Sequence, residues 1–340
     1  MKNEMINQNK PAVAVIILNW NGAALLKEYL PQVVANTNPE TARVIVADNG
    51  STDDSRKILE EQFPDVETLY FDRNYGFAEG YNRAIEHYRD YQYVVLLNSD
   101  VAPAPRWIDI LYCFMTEHPE AGACQPKLRA YMERENFEYA GACGGYIDRN
   151  GYPYCRGRIF ATCEADNGQY DTVAEVDWAS GAALMTRPEV YLECGGLDPK
   201  FFAHMEEIDL CWRIRLKGYK IYAVPEALVY HLGGGSLPPS NPRKTYLNFR
   251  NNLLMLYKNL PADIRGKSLF TRRLLDTIAW FKFVATFQFG NAGAILKAHR
   301  DYRKMMPEMK VAGAAENLIE KRPNILVKYY LKGLKTFDKL

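Results

Sequence analysis

The chain has 340 residues, 48% of them hydrophobic, and a formal net charge of +1. That composition supports a large buried core and excludes an intrinsically disordered chain. Seven cysteines without a C-x-x-C pair exclude a regular disulfide framework and fit reduced, structural thiols.

The opening "MKNEMINQNK" is polar and lacks the apolar core and cleavage site of a signal peptide, so a cytoplasmic location is expected. The next hundred residues alternate between short β-branched runs and segments of helical period. "AVAVIILNW" (12–20), "RVIVADN" (43–49), "LYFDRN" (69–74) and "YVVLLNSD" (93–100) read as strands too apolar to be half exposed. With helical crossovers between them they predict a parallel sheet covered on both faces, an α/β architecture. Each run ends in polar residues: "NWNG", "DNGSTDDS", "DRNYG" and "NSD". In such sheets the ligand crevice lies beyond the carboxyl ends of the strands, so four polar ends point to one site.

In the crossover at 77–88, Phe77, Tyr81, Ala84, Ile85 and Tyr88 share a stripe that reads as core, with Asn82 and Arg83 off it. A Pro-started helix is predicted over 103–122, ending near Pro119. Residues 125–175, rich in Gly, Tyr and Arg, have no sustained period and are expected to form irregular strands and loops. Cys143, Cys155 and Cys163 fall in or near this stretch, without the spacing of a metal site. A bent strand at 176–187 precedes a helix at 206–218 closed by Gly218, and then a strand broken at Pro225 that ends at His231. From 241 onward the pattern is helical, with "TYLNFRNNLLMLYKNL" its clearest stretch. That region holds roughly twenty Lys/Arg against seven Asp/Glu, so the first 240 residues are acidic and the last hundred strongly basic.

Two constellations carry chemistry. Asn98, Ser99 and Asp100 present hard oxygen ligands at a strand end, suited to Mg²⁺ or Mn²⁺ shared with phosphates and water. His231, at the end of a strand before a glycine run, is the matching candidate. On the helix at 206–218, Glu206, Asp209 and Arg213 share a face with Glu207 a quarter turn away. Asp209 and Arg213 also make a simple i,i+4 ion pair, and carboxylates in a first turn also favour the helix dipole, so a structural reading stands beside the catalytic one.

These segments, with "WASGAALMTR" and "GGLDPKFFAHMEEIDLCWRIRLKGYKIYAVPEALVYHLGGGS", occur in the order seen in inverting family 2 glycosyltransferases of the rhamnosyltransferase-like branch. The resemblance spans about residues 12–260 and implies a GT-A nucleotide-sugar transferase fold with a mostly parallel central sheet flanked by helices. It implies a glycosyltransferase domain over 1–240, with a donor half at about 12–125 and an acceptor half at about 126–240, followed by a basic helical extension over 241–340. It also implies transfer of a sugar from a UDP-, dTDP- or GDP-sugar to a hydroxyl of a glycan or lipid-linked saccharide, in cell-surface polysaccharide assembly.

By resemblance, the donor side falls on Asn19, Asp48, Asn74, Gly76, Asn82, Arg83, Asn98 and Ser99. The divalent metal falls on Asp100 and His231, with Asn98 standing where the family's first Asp would be. The catalytic base falls on Glu207, with Asp209 as the alternative. The acceptor side falls on Trp178, Ser180 and Gly181.

Other readings are a nucleotidyltransferase of sugar-nucleotide synthesis, which lacks its Gly-rich triphosphate loop here, and a non-catalytic carbohydrate-binding protein. A dinucleotide oxidoreductase is excluded by the absence of G-x-G-x-x-G after the first strand. The apolar stretch at 274–297, interrupted by Asp276, Lys282 and Asn291 and flanked by Arg272, Arg273, Lys297, Arg300, Arg303 and Lys304, predicts helices lying on an anionic membrane surface. The alternatives there are an ordinary helical subdomain or a homodimer contact. Nucleic acid is not expected, for want of a binding motif.

Overall fold

Alternation of strand and helix builds the first half of the molecule. A computed structural model describes residues 10–233 and 241–340. In chain order these run β1 (Val13–Asn19), α1 (Ala23–Asn36), β2 (Ala42–Asp48), α2 (Ser55–Gln62), β3 (Glu67–Tyr70), α3 (Phe77–His87), β4 (Tyr93–Leu97), β5 (Val101–Pro103), α4 (Trp107–Glu117) and β6 (Ala121–Ala130). Short strands β7 (Gly145–Ile147), β8 (Pro153–Cys155), β9 (Arg158–Ile159) and β10 (Thr162–Cys163) form a separate small sheet. Then follow β11 (Ala174–Val176), β12 (Ala183–Thr186), α5 (Pro188–Glu193), α6 (Glu206–Leu216), β13 (Lys220–His231), α7 (Pro242–Asn259), α8 (Ala262–Ala285) and α9 (Phe289–Met305).

The main sheet has the order β11-β13-β6-β12-β4-β1-β2-β3, with β5 paired to β13. β3, β2, β1 and β4 run parallel, β12 runs antiparallel to both β4 and β6, and β13 runs parallel to β6. The carboxyl ends of β1, β2, β4, β6 and β13 therefore lie along one edge. β12 begins at that same edge, which brings residues 178–182 to it.

Both faces of the sheet are covered, as the unbroken apolar runs require. Along β1, Val13, Val15 and Ile17 face the side of α1, α2 and α4, while Ala14 and Ile16 face the side of α3, α6 and α7. The predicted stripe on α3 is core: Tyr81, Ala84 and Ile85 are fully buried.

Three departures from the expected elements have physical causes. β13 is not broken at Pro225, because a register shift between Val224 and Leu228 absorbs the residue that has no N–H to give. The stretch at 125–175 is more ordered than its sequence suggests, since β6 continues to Ala130 and the small sheet is stapled by the chain's own end. There Phe337 packs against Tyr146, Tyr154 and Tyr170, and its N–H donates to Glu164. The packed unit also extends past residue 240, because Leu253, Leu254, Met255 and Leu256 of α7 share the core with α3 and α6.

Candidate active site

The first two strand ends are tied into one polar platform. Asn19 Nδ2 donates to Asp48 Oδ2 at 2.9 Å and to Ser51 Oγ at 3.2 Å, and Asp48 Oδ1 accepts from the Ser51 N–H at 2.9 Å. Asn19 Oδ1 is buried without a partner. A Cβ on Gly22 would stand 2.4 Å from that oxygen, so the glycine keeps it uncovered. Asn49 carries the platform onward, accepting from the Tyr75 N–H and donating to Asn74 Oδ1 and the Gly76 carbonyl. Asn74 Oδ1 in turn accepts from the Gly76 N–H at 2.7 Å. Gly76 opens α3 at φ +80°, a conformation that L side chains rarely adopt. Asn49 was not among the residues singled out from the sequence, where it was one more polar residue in "DNGSTDDS".

The two expected donor residues on α3 behave differently. Arg83 is exposed, bonded to Glu79 and stacked 3.9 Å over the Tyr75 ring, so it stays beside the platform. Asn82 is fully engaged in the fold: it donates to the Leu197 carbonyl and accepts from the Leu197 N–H and the Tyr191 hydroxyl. Its amide joins α3 to the loop after α5, which commits Oδ1 and one of the two Nδ2 hydrogens to the fold.

Beyond β4, Asn98 and Ser99 are half-buried, and Asp100 Oδ1 lies 3.1 Å from His231 Nε2. This convergence follows from pairing, because β5 sets Val101 opposite His231. On the other side of the imidazole, Nδ1 faces Glu138 Oε1 at 3.5 Å. Burial works against a charged His231, but the two carboxylates outweigh it and push its pKa up to about 10. Burial would raise the Asp100 carboxyl, yet the hydrogen bond and charge of His231 hold it below the usual range. Glu138, in the stretch without period, gave no sequence signal. Its position is fixed by its backbone N–H to Leu128 and by Gly233, where a Cβ would meet Glu138 Oε1 at 2.6 Å.

At the start of α6, Glu206 and Glu207 occupy the first turn, where the helix dipole favours carboxylates. Each has one buried oxygen, Oε2, without a partner. Burial, and then the charge of Glu207, raise the Glu206 carboxyl well above its ordinary value; burial also raises Glu207, against the pull of nearby backbone N–H groups. The loop leading in is unusual, with Phe202, His204 and Met205 all at positive φ. Asn251 of α7 clamps it, donating to the carbonyls of Phe201, Ala203 and His204 at 2.7–2.9 Å, while Arg250 reaches the carbonyls of Lys200 and Phe201. The signal for this clamp was the polar run Arg250-Asn251-Asn252 directly before the apolar Leu253-Leu254-Met255-Leu256, with all three polar residues buried.

Asp209 is not available as a base. It is fully buried and bonded to Arg213, Lys258 and Asn259. Burial would raise its carboxyl, but these partners hold it below the usual range. Trp178 also departs from expectation. It is 2% exposed, packs over Gly145 and donates its indole N–H to the Tyr146 carbonyl, so it lies beneath the surface and does not border it. Ser180 is buried too, with its N–H on Gln125. Gly181 lies against the Glu207 side chain, which a Cβ there would touch at 3.5 Å.

The two halves meet across this bend. The Asn98 N–H donates to the Ala182 carbonyl at 3.0 Å, so the strand end that leads to Asp100 and the aliphatic part of the Glu207 side chain both adjoin residues 181–182.

Known proteins share this fold and part of this sequence. Residues 14–154 match the family described as Glycosyl transferase family 2. The chain is 26% identical over 234 residues to the N-acetylglucosaminyl-diphospho-decaprenol L-rhamnosyltransferase of Mycobacterium tuberculosis, covering 64% of this chain and 75% of that protein. Among solved structures it is similar to the mannosyltransferase PcManGT of Pyrobaculum calidifontis in complex with GDP-Man and Mn²⁺ (TM-score 0.52, 16% identity, 93% of this chain and 89% of that one). It is also similar to residues 1–349 of S. aureus TarS in complex with UDP-GlcNAc (TM-score 0.56, 14% identity, 87% and 82%). The chain is therefore a glycosyltransferase on the GT-A fold, whose residues 14–154 match glycosyl transferase family 2.

Proposed function

We propose that the chain transfers a sugar, with inversion, from a nucleotide-sugar donor to a hydroxyl of a lipid-linked saccharide or glycan in cell-surface polysaccharide assembly. The observation that supports this reading is the contiguity across 181–182, a division of roles between two segments: the Glu207 side chain lies against Gly181, and Ala182 accepts from the N–H of Asn98, two residues before the Asp100 that meets His231. Inversion needs that division, because the base must act on the sugar face opposite the departing diphosphate.

In this reading Asn19, Asp48, Asn74 and Gly76 hold the nucleotide, with Arg83, Asn98 and Ser99 beside its phosphates. The unpartnered Asn19 Oδ1 is an acceptor awaiting a donor group of the base or ribose. Glu207 takes the proton of the acceptor hydroxyl, its raised carboxyl suiting it to that transfer. Gly181 leaves room for the hydroxyl to reach it.

The residues present fit a divalent cation. Asp100 Oδ1 and His231 Nε2 converge, so a cation between them would take the place of the proton the pair now shares, and Glu138 stands where it can orient the imidazole from behind. Among the described residues no cluster of three acidic, His or Cys side chains gathers at one point, so the cation would be held by these two with the remaining positions left to phosphate oxygens and water. Bound there, Mg²⁺ or Mn²⁺ would supply positive charge opposite the departing nucleoside diphosphate.

The similar structures hold GDP-Man and UDP-GlcNAc, which supports a nucleotide-sugar donor, and the mycobacterial relative's name specifies a decaprenol-linked saccharide, which supports a lipid-linked acceptor. The test is release of nucleoside diphosphate from a panel of UDP-, dTDP- and GDP-sugars with Mn²⁺, by the protein and by its Glu207→Gln variant. Turnover lost in the variant supports the reading; no binding and no turnover with any donor returns the chain to a non-catalytic carbohydrate-binding role.

A further inference from the structure

The helices after α7 expose a continuous apolar row. Phe270, Leu274, Ile278 and Phe281 of α8 are spaced by four, four and three residues, which sets them on one stripe. The row continues at the α8–α9 turn with Phe287 and Phe289, and its exposures run from 53% at Leu274 to 81% at Phe287. Single exposed apolar side chains are ordinary, but an aligned row of this kind marks an interaction surface.

The charges edging the row are basic. Lys267, Arg273 and Lys282 stand exposed on α8, three or four residues from members of the stripe, and Lys297, Arg300, Arg303 and Lys304 stand exposed on α9. The acids are mostly withdrawn: Asp276 is buried between Arg272 and His299, and Asp301 is bonded to Tyr246 and Arg300. Of the acids on these two helices, Asp263 alone is fully exposed, and it sits in the first turn of α8.

From this pairing of an apolar row with a basic margin we infer that the outer face of α8 and the α8–α9 turn dock on the surface of an anionic lipid bilayer. The apolar side chains enter the headgroup boundary while the Lys and Arg side chains meet lipid phosphates. No described helix is long and apolar enough to cross a membrane, so the contact is with one leaflet.

The position of the turn gives this surface a use. Asn291 Oδ1 accepts from the Thr245 hydroxyl at 2.8 Å, and Gly290 lies against Pro242, so the turn abuts the start of α7. There Arg243 stacks on the exposed Phe202, four residues before Glu206. The docking face thus borders the acceptor side of the active site. That last link rests on the proposed transfer to a lipid-linked acceptor; the docking itself does not.

The test is flotation of the full chain with vesicles of phosphatidylglycerol and phosphatidylcholine, against phosphatidylcholine alone, with donor hydrolysis measured in parallel. Expected is salt-sensitive binding to the anionic vesicles, weakened about tenfold or more by Ile278→Glu with Phe281→Glu. Lys282→Ser and Lys297→Ser each weaken it about fivefold, in the anionic arm only. Melting temperature and donor hydrolysis stay unchanged in these variants, whose altered side chains face outward. The inference is overturned if the wild-type chain stays off anionic vesicles or if the Glu variant floats undiminished. It is overturned equally if the wild-type chain stays off vesicles but forms a dimer that the Glu variant abolishes, which assigns the face to a second copy. Flotation without any transferase activity leaves the docking in place and removes the proposed reaction instead.

Discussion

Asp209 and Lys258 form an ion pair at 2.8 Å in a nearly dry position, joining α6 to α7. Arg213 and Asn259 occupy the remaining sites of the carboxylate. Removing one member of such a network leaves its partners charged and unpaired, a loss of about 3–5 kcal/mol. Asp209→Asn is therefore expected to lower the urea midpoint sharply without changing donor affinity in the fraction that folds. The carboxyl is held below the usual range, so its stabilisation is complete above the unfolded value of about 3.9 and is lost as pH falls below it. Urea titrations from neutral to acid pH check this; a wild-type acid slope matched by Asp209→Asn would contradict it.

The clamp from Asn251 to the loop before α6 predicts a different signature. In Asn251→Ala the carbonyls of Ala203 and His204 lose their side-chain donor while that of Phe201 keeps Arg250, and Phe202, His204 and Met205 are then freer to leave their positive-φ conformations. A displacement of Glu207 follows. Turnover is expected to drop about 10–100-fold, as small misplacements of a reacting group do, while the donor KM stays within a small factor. A variant that loses stability but keeps its turnover number would reduce Asn251 to a packing role.

What the sequence discloses divides along physical lines. Strands β1, β2 and β4 and their polar ends were legible, because a strand buried on both faces must be uniformly apolar and stops being so where it meets a site; β3, expected over 69–74, is instead a half-buried edge strand at Glu67–Tyr70, where that rule does not apply. The placement of Glu206 and Glu207 in a first turn was legible from helical period. Asp209 was misjudged because its neighbours Lys258 and Asn259 lie about fifty residues away, and nothing in local spacing shows that a carboxylate is saturated. Trp178 and Asn82 fail for the same reason, being turned inward by contacts with Gly145 and Leu197 that only the fold creates. Glu138 was invisible because the stretch around it owes its order to the small sheet and to Phe337.

Glu138 bears on metal affinity. Its carboxylate faces His231 Nδ1 while Nε2 points to Asp100, an arrangement in which the distant carboxylate fixes the ring and its tautomer. Glu138→Ala is expected to weaken Mn²⁺ binding by about 10–100-fold, as losses behind a ligating imidazole commonly do. His231→Ala should weaken it at least as much. Calorimetric titration of the chain with Mn²⁺ and a nucleoside diphosphate, without sugar, reads this independently of turnover; equal affinity in Glu138→Ala and wild type would remove its orienting role.

The Glu206 and Glu207 pair separates catalysis from stability. Glu207→Gln is expected to cut turnover by orders of magnitude with donor affinity nearly unchanged, because the amide keeps the shape and cannot take a proton. In the wild type the rate should rise with pH through an inflection above the ordinary Glu value of about 4.3, since burial raises Glu207. Glu206 acts mainly on stability. Its carboxyl is held well above the ordinary value by burial and by the Glu207 charge, so the folded state keeps a proton that the unfolded chain releases. Its contribution is then fully present below the unfolded value of about 4.3 and is lost as pH rises through the folded one. Glu206→Gln removes that loss, so the melting temperature of the variant should fall less steeply with rising pH than that of the wild type. Parallel slopes in the two proteins would show that Glu206 is ionised in the fold, and would make it a second candidate for the base.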